Sequence, residues 1–101
     1  ITVPGDTTFI GSYAFMFCRN LAEAFISDSV EEIAGFAFSG CSSLSKVYLG
    51  KNLERLGVCV FENCDSLKSV GFGGTVSQWL ERFGSFPFEV VCADGVVPAK
   101  K

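Results

Sequence analysis

The amino-acid sequence repeats itself with a fixed period of 23 residues. The block Ile10–Phe15 returns as Ile33–Phe38 and again as Leu56–Phe61, with no insertion between the three copies. Other apolar columns keep the same spacing: Val3, Ile26, Leu49 and Phe72; Ala24, Val47 and Val70; Val30, Leu53 and Val76; Cys18, Cys41 and Cys64; and Leu21, Leu44 and Leu67. One turn of this length cannot bury its apolar face alone, so turns stack and equivalent residues form ladders.

Each turn holds a stretch with the alternation of a β-strand. In the second turn, Val47 and Leu49 fall on one face of an extended chain. The stretches concerned are Leu21–Ile26, Leu44–Leu49 and Leu67–Phe72. Val30–Ile33 is a second short extended piece, and the Ala-Phe-x-x-Cys stretch favours a turn of α-helix or 3₁₀ helix. The predicted fold class is therefore an α/β-type repeat solenoid, a right-handed superhelix with a parallel β-sheet on one face and short helical or 3₁₀ turns on the other.

The pattern ends in a fourth turn, where Gly84 and Pro87 replace the repeated Phe and Cys. Trp79 takes the column of Ile10 and Ile33, and we predict that its ring plugs the open end of the stack. We divide the chain into repeats at about 1–23, 24–46 and 47–69, a C-terminal cap at 70–97 and a tail at 98–101. Residues 1–9 supply only part of a turn, so we expect either a longer parent protein with repeats before Ile1 or an end-to-end homodimer through the uncapped N-terminal turn.

The five cysteines favour structural roles. Cys18, Cys41 and Cys64 share one column, which predicts a ladder of buried free thiols. Neighbouring rungs lie close enough for a disulfide, but parallel side chains disfavour its dihedral angle. A zinc site is the other alternative, disfavoured because paired Cys-x-x-Cys ligands and histidine are both missing. We assign structural or incidental roles to Cys59 and Cys92.

Composition and motifs exclude several classes of function. Without histidine, neither a Ser-His-Asp nor a Cys-His arrangement can form. The glycines between positions 71 and 74 lack the spacing and lysine of a phosphate loop. A net charge of −3 with mixed signs does not predict nucleic-acid binding, and no apolar run is long enough for a membrane span. We therefore predict neither an enzyme nor a cofactor.

The repeated columns resemble the BspA-type leucine-rich repeats, whose pattern is Ile-Gly-x-x-Ala-Phe-x-x-Cys-x-x-Leu-x-x-Val-x-Ile-Pro. Residues 10–26, 33–49 and 56–72 match it closely, although Ser27, Gly50 and Gly73 replace the proline. The segment 72–95 is similar to the closing turn of such proteins. The resemblance implies a surface or secreted protein with an extracellular or cell-surface location, and some members act as adhesins toward host proteins.

Solenoids bind partners through an extended sheet face. The candidate partner-binding residues are the outward positions of the predicted strands: Glu23, Phe25, Lys46, Tyr48, Lys68 and Ser69. Phe25 and Tyr48 are adjacent aromatics, a residue type enriched at interface hot spots, but they also fit a cross-strand pair that only stabilises the sheet. We predict a non-catalytic protein-interaction or adhesion module whose partner is a host or extracellular-matrix protein. The alternative is a structural spacer without binding activity.

Overall fold

The structure is a computed structural model that describes residues 1–100. Three successive coils each add one strand to each of two sheets, and the C-terminal cap adds two more strands to one of them, so that the sheets have three and five strands. In chain order the elements are β1 (Phe9–Ile10), β2 (Glu23–Ile26), β3 (Glu32–Ile33), β4 (Lys46–Leu49), β5 (Arg55–Leu56), β6 (Ser69–Phe72), α1 (Val76–Arg82), β7 (Glu89–Cys92) and β8 (Gly95–Val97). The three-stranded sheet has the order β1-β3-β5 and the five-stranded sheet the order β2-β4-β6-β7-β8. The predicted repeat solenoid is confirmed.

Strand register follows the sequence period. In the five-stranded sheet β2, β4 and β6 are parallel, with Glu23 opposite Lys46 and Val47 opposite Val70. In the three-stranded sheet Ile33 lies between Ile10 and Leu56. The strands β2, β4, β6 and β7 of the larger sheet alternate outward and buried residues, because side chains of a strand point to opposite faces. A slip by one residue would expose the whole core row, so the apolar alternation fixes the register.

The core consists of the predicted ladders. Phe38 stacks on Phe15 with ring centroids 5.1 Å apart and on Phe61 at 5.7 Å. The branched residues Ile33, Leu49 and several others between the two sheets are fully buried. Equivalent side chains of successive coils therefore contact each other along one axis, as the period of 23 residues predicts.

The segments that follow each strand of the smaller sheet and lead to the next strand of the larger sheet differ from the prediction. We call residues 11–18, 34–41 and 57–64 the turn segments. They contain hydrogen-bonded turns in place of the predicted helical or 3₁₀ turns. Positive φ angles occur twice in each segment, at Tyr13 and Phe17 in the first, Phe36 and Gly40 in the second, and Cys59 and Asn63 in the third. Helices need consecutive negative φ angles, so a left-handed residue at every fourth position prevents one.

The cysteine column is buried except at its first rung. All five cysteines are free thiols, and Cys41 and Cys64 are buried as predicted. Their Sγ atoms lie 3.1 Å from the carbonyl oxygens of Phe15 and Phe38 in the preceding coil. Cys18 is exposed, so the prediction of a buried thiol was wrong there. The reason is that Cys18 belongs to the first coil, which has no neighbour on that side in the structure.

The fourth turn closes the stack with a helix. Thr75 caps α1 in a capping box with Gln78, and Trp79 on this helix is fully buried, as expected for a plug. Its ring lies 5.2 Å from Phe72 and 4.6 Å from Phe83, measured between centroids. Trp79 thus covers the end of the stack from a helix, although its column in earlier coils belongs to the three-stranded sheet. Beyond α1, β7 pairs with β6 and turns back into β8.

Candidate functional site

The outer face of the five-stranded sheet carries two rows of side chains that run across the strands. One row is polar and consists of Glu23, Lys46, Ser69 and Glu89. The other, which we call the apolar row, consists of Phe25, Tyr48, Gly71, Val91 and Val96. The register that aligns the buried ladders also aligns these outward residues, because inward and outward positions alternate on every strand.

The apolar row is exposed over its whole width. Phe25 is 37% exposed, Tyr48 41%, Val91 44% and Val96 48%. A contiguous apolar strip on a sheet surface is a feature of interaction sites. The sequence located Phe25 and Tyr48 but missed Val91 and Val96. Their place depends on the 20-residue offset between Ser69 and Glu89, which breaks the period of 23 and which only the alternating Glu89–Cys92 stretch could have indicated.

Tyr48 leans along this face toward the next strand. A Cβ atom added at Gly71 would lie 3.2 Å from Cδ1 of Tyr48, and one added at Gly73 would lie 2.5 Å from the Tyr48 hydroxyl. The two glycines therefore leave the space over which the phenol ring extends. Tyr48 combines a contact that stabilises the sheet with an exposed edge, so both interpretations of this residue have a structural basis.

The polar row brings together opposite charges. Nζ of Lys46 lies 3.8 Å from Oε1 of Glu23, and both side chains are largely exposed. Such a pair contributes little to stability because water screens it. Ser69 is half-buried, and Lys68 is exposed but lies one residue before β6, at the margin of the face. The structure thus places Glu23, Phe25, Lys46, Tyr48 and Ser69 on one face.

Four of the five cysteine thiols have a raised pKa. Burial raises the pKa of Cys64 to about 11 and also raises the pKa of Cys41 and Cys92. At the exposed Cys59, a hydrogen bond to the Glu62 side chain raises the pKa of the thiol. A nucleophilic cysteine needs a depressed pKa, since the thiolate is the reactive species.

Residues 1–100 lack two further features, a metal-binding cluster and a membrane-spanning helix. No three Cys, Asp or Glu side chains of this part of the chain lie together as a metal site would require. In the same residues no helix has the length and apolar character needed to cross a bilayer.

Comparisons with known proteins agree with the architecture. The family model described as BspA type Leucine rich repeat region (6 copies) matches residues 1–89. No curated protein sequence and no solved structure matches the chain. The family match covers all three repeats, both sheets as far as the start of β7, and the helix that closes the stack. The chain therefore belongs to the BspA-type leucine-rich-repeat family.

Proposed function

We propose that this chain is a non-catalytic protein-interaction module and that a protein partner binds the outer face of its five-stranded sheet. The observation that carries the proposal is the apolar row, in which Phe25, Tyr48, Val91 and Val96 are all exposed. Aromatic residues surrounded by polar ones resemble the anatomy of a protein interface, where a few large side chains supply most of the binding energy. Leucine-rich-repeat solenoids are typically non-catalytic, and the raised pKa values of the thiols agree with this role.

The biological setting is the second part of the proposal. Proteins of this family are often surface-located or secreted, so we assign the module to a cell-surface or secreted protein with an adhesive role. Its partner is then a host or extracellular-matrix protein. The chain's mild negative charge gives no reason to favour a nucleic acid.

Binding to a panel of purified extracellular-matrix and cell-surface proteins tests this proposal. We expect one or more partners to bind the chain, and the double variant Phe25→Ala/Tyr48→Ala to weaken that binding by more than about tenfold, since two hot-spot side chains are lost. The matched control is Val58→Ala/Leu80→Ala, which removes two exposed apolar side chains away from the sheet face. Equal loss in both double variants would contradict a specific role for the apolar row.

A structural spacer remains the alternative function. The observation in its favour is the contact of Tyr48 with Gly71 and Gly73, which gives the aromatic residue a role within the sheet. If the spacer interpretation is right, no protein of the panel binds, and Phe25→Ala/Tyr48→Ala lowers only the free energy of unfolding. The same two measurements therefore separate the two functions.

A further inference from the structure

Hydrogen bonds between turn segments run in one direction along the solenoid. Alternate N–H groups of one coil donate to alternate carbonyl groups of the next, over 2.7–3.3 Å. The donor and acceptor pairs are Tyr13 to Gly35, Phe15 to Ala37, Phe17 to Ser39, Phe36 to Val58, Phe38 to Val60 and Gly40 to Glu62. The intervening N–H groups close local turns, as Cys41 does onto Phe38. Each turn segment therefore donates its backbone N–H groups to the coil that follows it, while one of its carbonyl groups accepts from the cysteine thiol of that coil, as Phe15 accepts from Cys41.

The third turn segment keeps its donors but has no coil to receive them. Within the part of the chain that the structure describes, the N–H groups of Cys59, Phe61 and Asn63 have no hydrogen-bond acceptor. The carbonyl groups of Cys59 and Phe61 accept local bonds, and those of Val58, Val60 and Glu62 accept from the second coil. This edge thus offers three unpaired donors at alternate residues, because the chain leaves the repeat pattern in the cap.

A cleft lies beside Cys59 and Phe61, which carry two of these three donors. Its volume is about 280 Å³, near the lower end for ligand sites. Val60 and Phe61 line one side and Phe86, Pro87 and Phe88 the other, and Glu62 is the one charged residue among those that line it. The walls are therefore apolar, while the backbone supplies the polar contacts.

We propose that this cleft and the backbone edge beside it bind a polypeptide segment that folds into the same turns as residues 35–39 and carries an aromatic side chain, with its alternate carbonyl groups accepting from the N–H groups of Cys59, Phe61 and Asn63. The structure itself contains this mode of recognition twice. Residues 35–39 sit in this way on the first turn segment and residues 58–62 on the second. In both cases a phenylalanine of the bound segment stacks on the one below, at 5.1 and 5.7 Å.

Phe61 has no such stacking partner on its far side. Its neighbour there is Phe88, which meets it edge-on at 5.8 Å with an interplanar angle of 89°. The ring of a bound peptide would lie in the cleft, where Phe61, Phe86 and Phe88 provide apolar contacts for it. Backbone carbonyls occur in every peptide, so the hydrogen bonds supply general affinity and the aromatic contact supplies selectivity.

This site goes beyond the proposed function, because it shares no residue with the apolar row. Either surface can therefore fail without the other. Phe25→Ala/Tyr48→Ala leaves peptide binding in the cleft unchanged if the two sites are separate.

A nuclear magnetic resonance titration of the ¹⁵N-labelled full chain tests the cleft. The probe is the acetylated and amidated peptide Ile-Ala-Gly-Phe-Ala-Phe-Ser-Gly, the sequence of residues 33–40. We expect saturable shifts of the amide signals of Cys59, Phe61 and Asn63. Replacing the second phenylalanine of the probe by alanine weakens binding by roughly twofold to tenfold, the value of one aromatic pair. Absence of saturable shifts at these amides up to millimolar probe, or equal shifts with a scrambled probe, overturns the proposal.

Two matched comparisons locate the binding. Phe15 and Phe61 are the terminal rungs of the same ladder, so Phe61→Leu is expected to weaken the probe-induced shifts at the amides of Cys59 and Asn63, and Phe15→Leu to leave the shifts at these two amides unchanged. Cys59 lines the cleft and Cys18 is exposed elsewhere, so saturating probe slows alkylation of Cys59 by N-ethylmaleimide and not that of Cys18. The alkylation readout uses the unmodified chain and stands even if Phe61→Leu folds poorly. Equal effects at both members of either pair contradict binding in the cleft.

Discussion

Three different residue types adopt one left-handed backbone conformation at equivalent positions of the turn segments. They are Phe17, Gly40 and Asn63, with φ angles of 59°, 75° and 60°. Glycine does so freely and asparagine fairly readily, but for phenylalanine the conformation costs about 1–2 kcal/mol. The ring of Phe17 lies where a Cβ atom of Gly40 would be. Because Gly40 has no side chain, the ring of Phe17 from the preceding coil can pack directly against its backbone.

Gly40→Ala is expected to destabilise the protein by more than Gly84→Ala. Both glycines have positive φ angles, so alanine is strained at each by about 1 kcal/mol. Only at Gly40 does the new Cβ atom also meet the Phe17 ring, whereas nothing lies within 4 Å at Gly84. Urea unfolding of the single variants and of Phe17→Ala/Gly40→Ala measures the difference. We expect the double variant to lose less stability than its single variants predict together; simple additivity would contradict a steric coupling.

At the scale of elements, the cap replaces a coil by other means. In place of a fourth strand of the smaller sheet, α1 places Trp79 on the open core, with Phe83 and Phe86 around it. Arg82 at the end of the helix donates to the carbonyl oxygens of Lys51 and Leu53, over 2.9 and 3.0 Å. The helix thus covers the apolar end of the core with the ring of Trp79. Its Arg82 side chain donates hydrogen bonds to backbone carbonyl groups of the preceding coil.

Trp79→Ala is expected to lower the free energy of unfolding by about 3–5 kcal/mol, because a large buried side chain is removed from the end of the stack. Trp79→Phe should cost much less. The indole Nε1 atom is buried without a hydrogen-bond partner in residues 1–100, and its removal relieves a desolvation penalty of about 1–3 kcal/mol. Chemical denaturation of both variants measures this. Equal losses for the two would show that ring area alone does not explain the role of Trp79.

The sequence predicted those elements whose residue pattern, such as an apolar alternation, is complete within one coil. The alternation at Val47 and Leu49 predicted the strand, and the period predicted its partners. The turn segments were not predicted, because their positive φ angles are held by bonds to the next coil, which no local pattern records. Val91 and the cleft at Phe61 were missed for a similar reason, since both depend on how the cap departs from the repeat.

At the scale of the whole molecule, the two ends of the solenoid are complementary in chemistry. The end beside the cap offers the N–H groups of the third turn segment. At the N-terminal end, the carbonyl groups of Ser12, Ala14 and Met16 have no partner among the described residues. Beside them lies a depression of about 400 Å³ lined mainly by apolar groups, among them Ile10 and Phe15. In a homodimer that joins two N-terminal ends, the first turn segment of each chain would offer only carbonyl groups to the other. Such a dimer would therefore depend on apolar contacts and on the edge strands of the two chains.

Adding one repeat at the N-terminal end is therefore expected to stabilise the molecule. A second copy of residues 24–46 fused directly before Ile1 is in register, because residue 47 is equivalent to residue 24 and to residue 1. Its turn segment brings the donors that Ser12, Ala14 and Met16 lack, and its ladder residues cover Ile10 and Phe15. Three hydrogen bonds at about 1 kcal/mol each, with the buried apolar area, predict a gain of several kcal/mol in the free energy of unfolding.

The matched control for this fusion carries serine at the two positions of the added copy that correspond to Phe38 and Leu44, since both residues are fully buried in their own coil. Thermal unfolding at several protein concentrations, with light scattering, separates stacking from association. If two chains meet end to end through this edge, the melting temperature of the original chain rises with its concentration, and the added repeat removes that dependence because it covers the edge. A fusion that melts no higher than its serine control would contradict the prediction that an added coil stabilises this edge through its ladder residues.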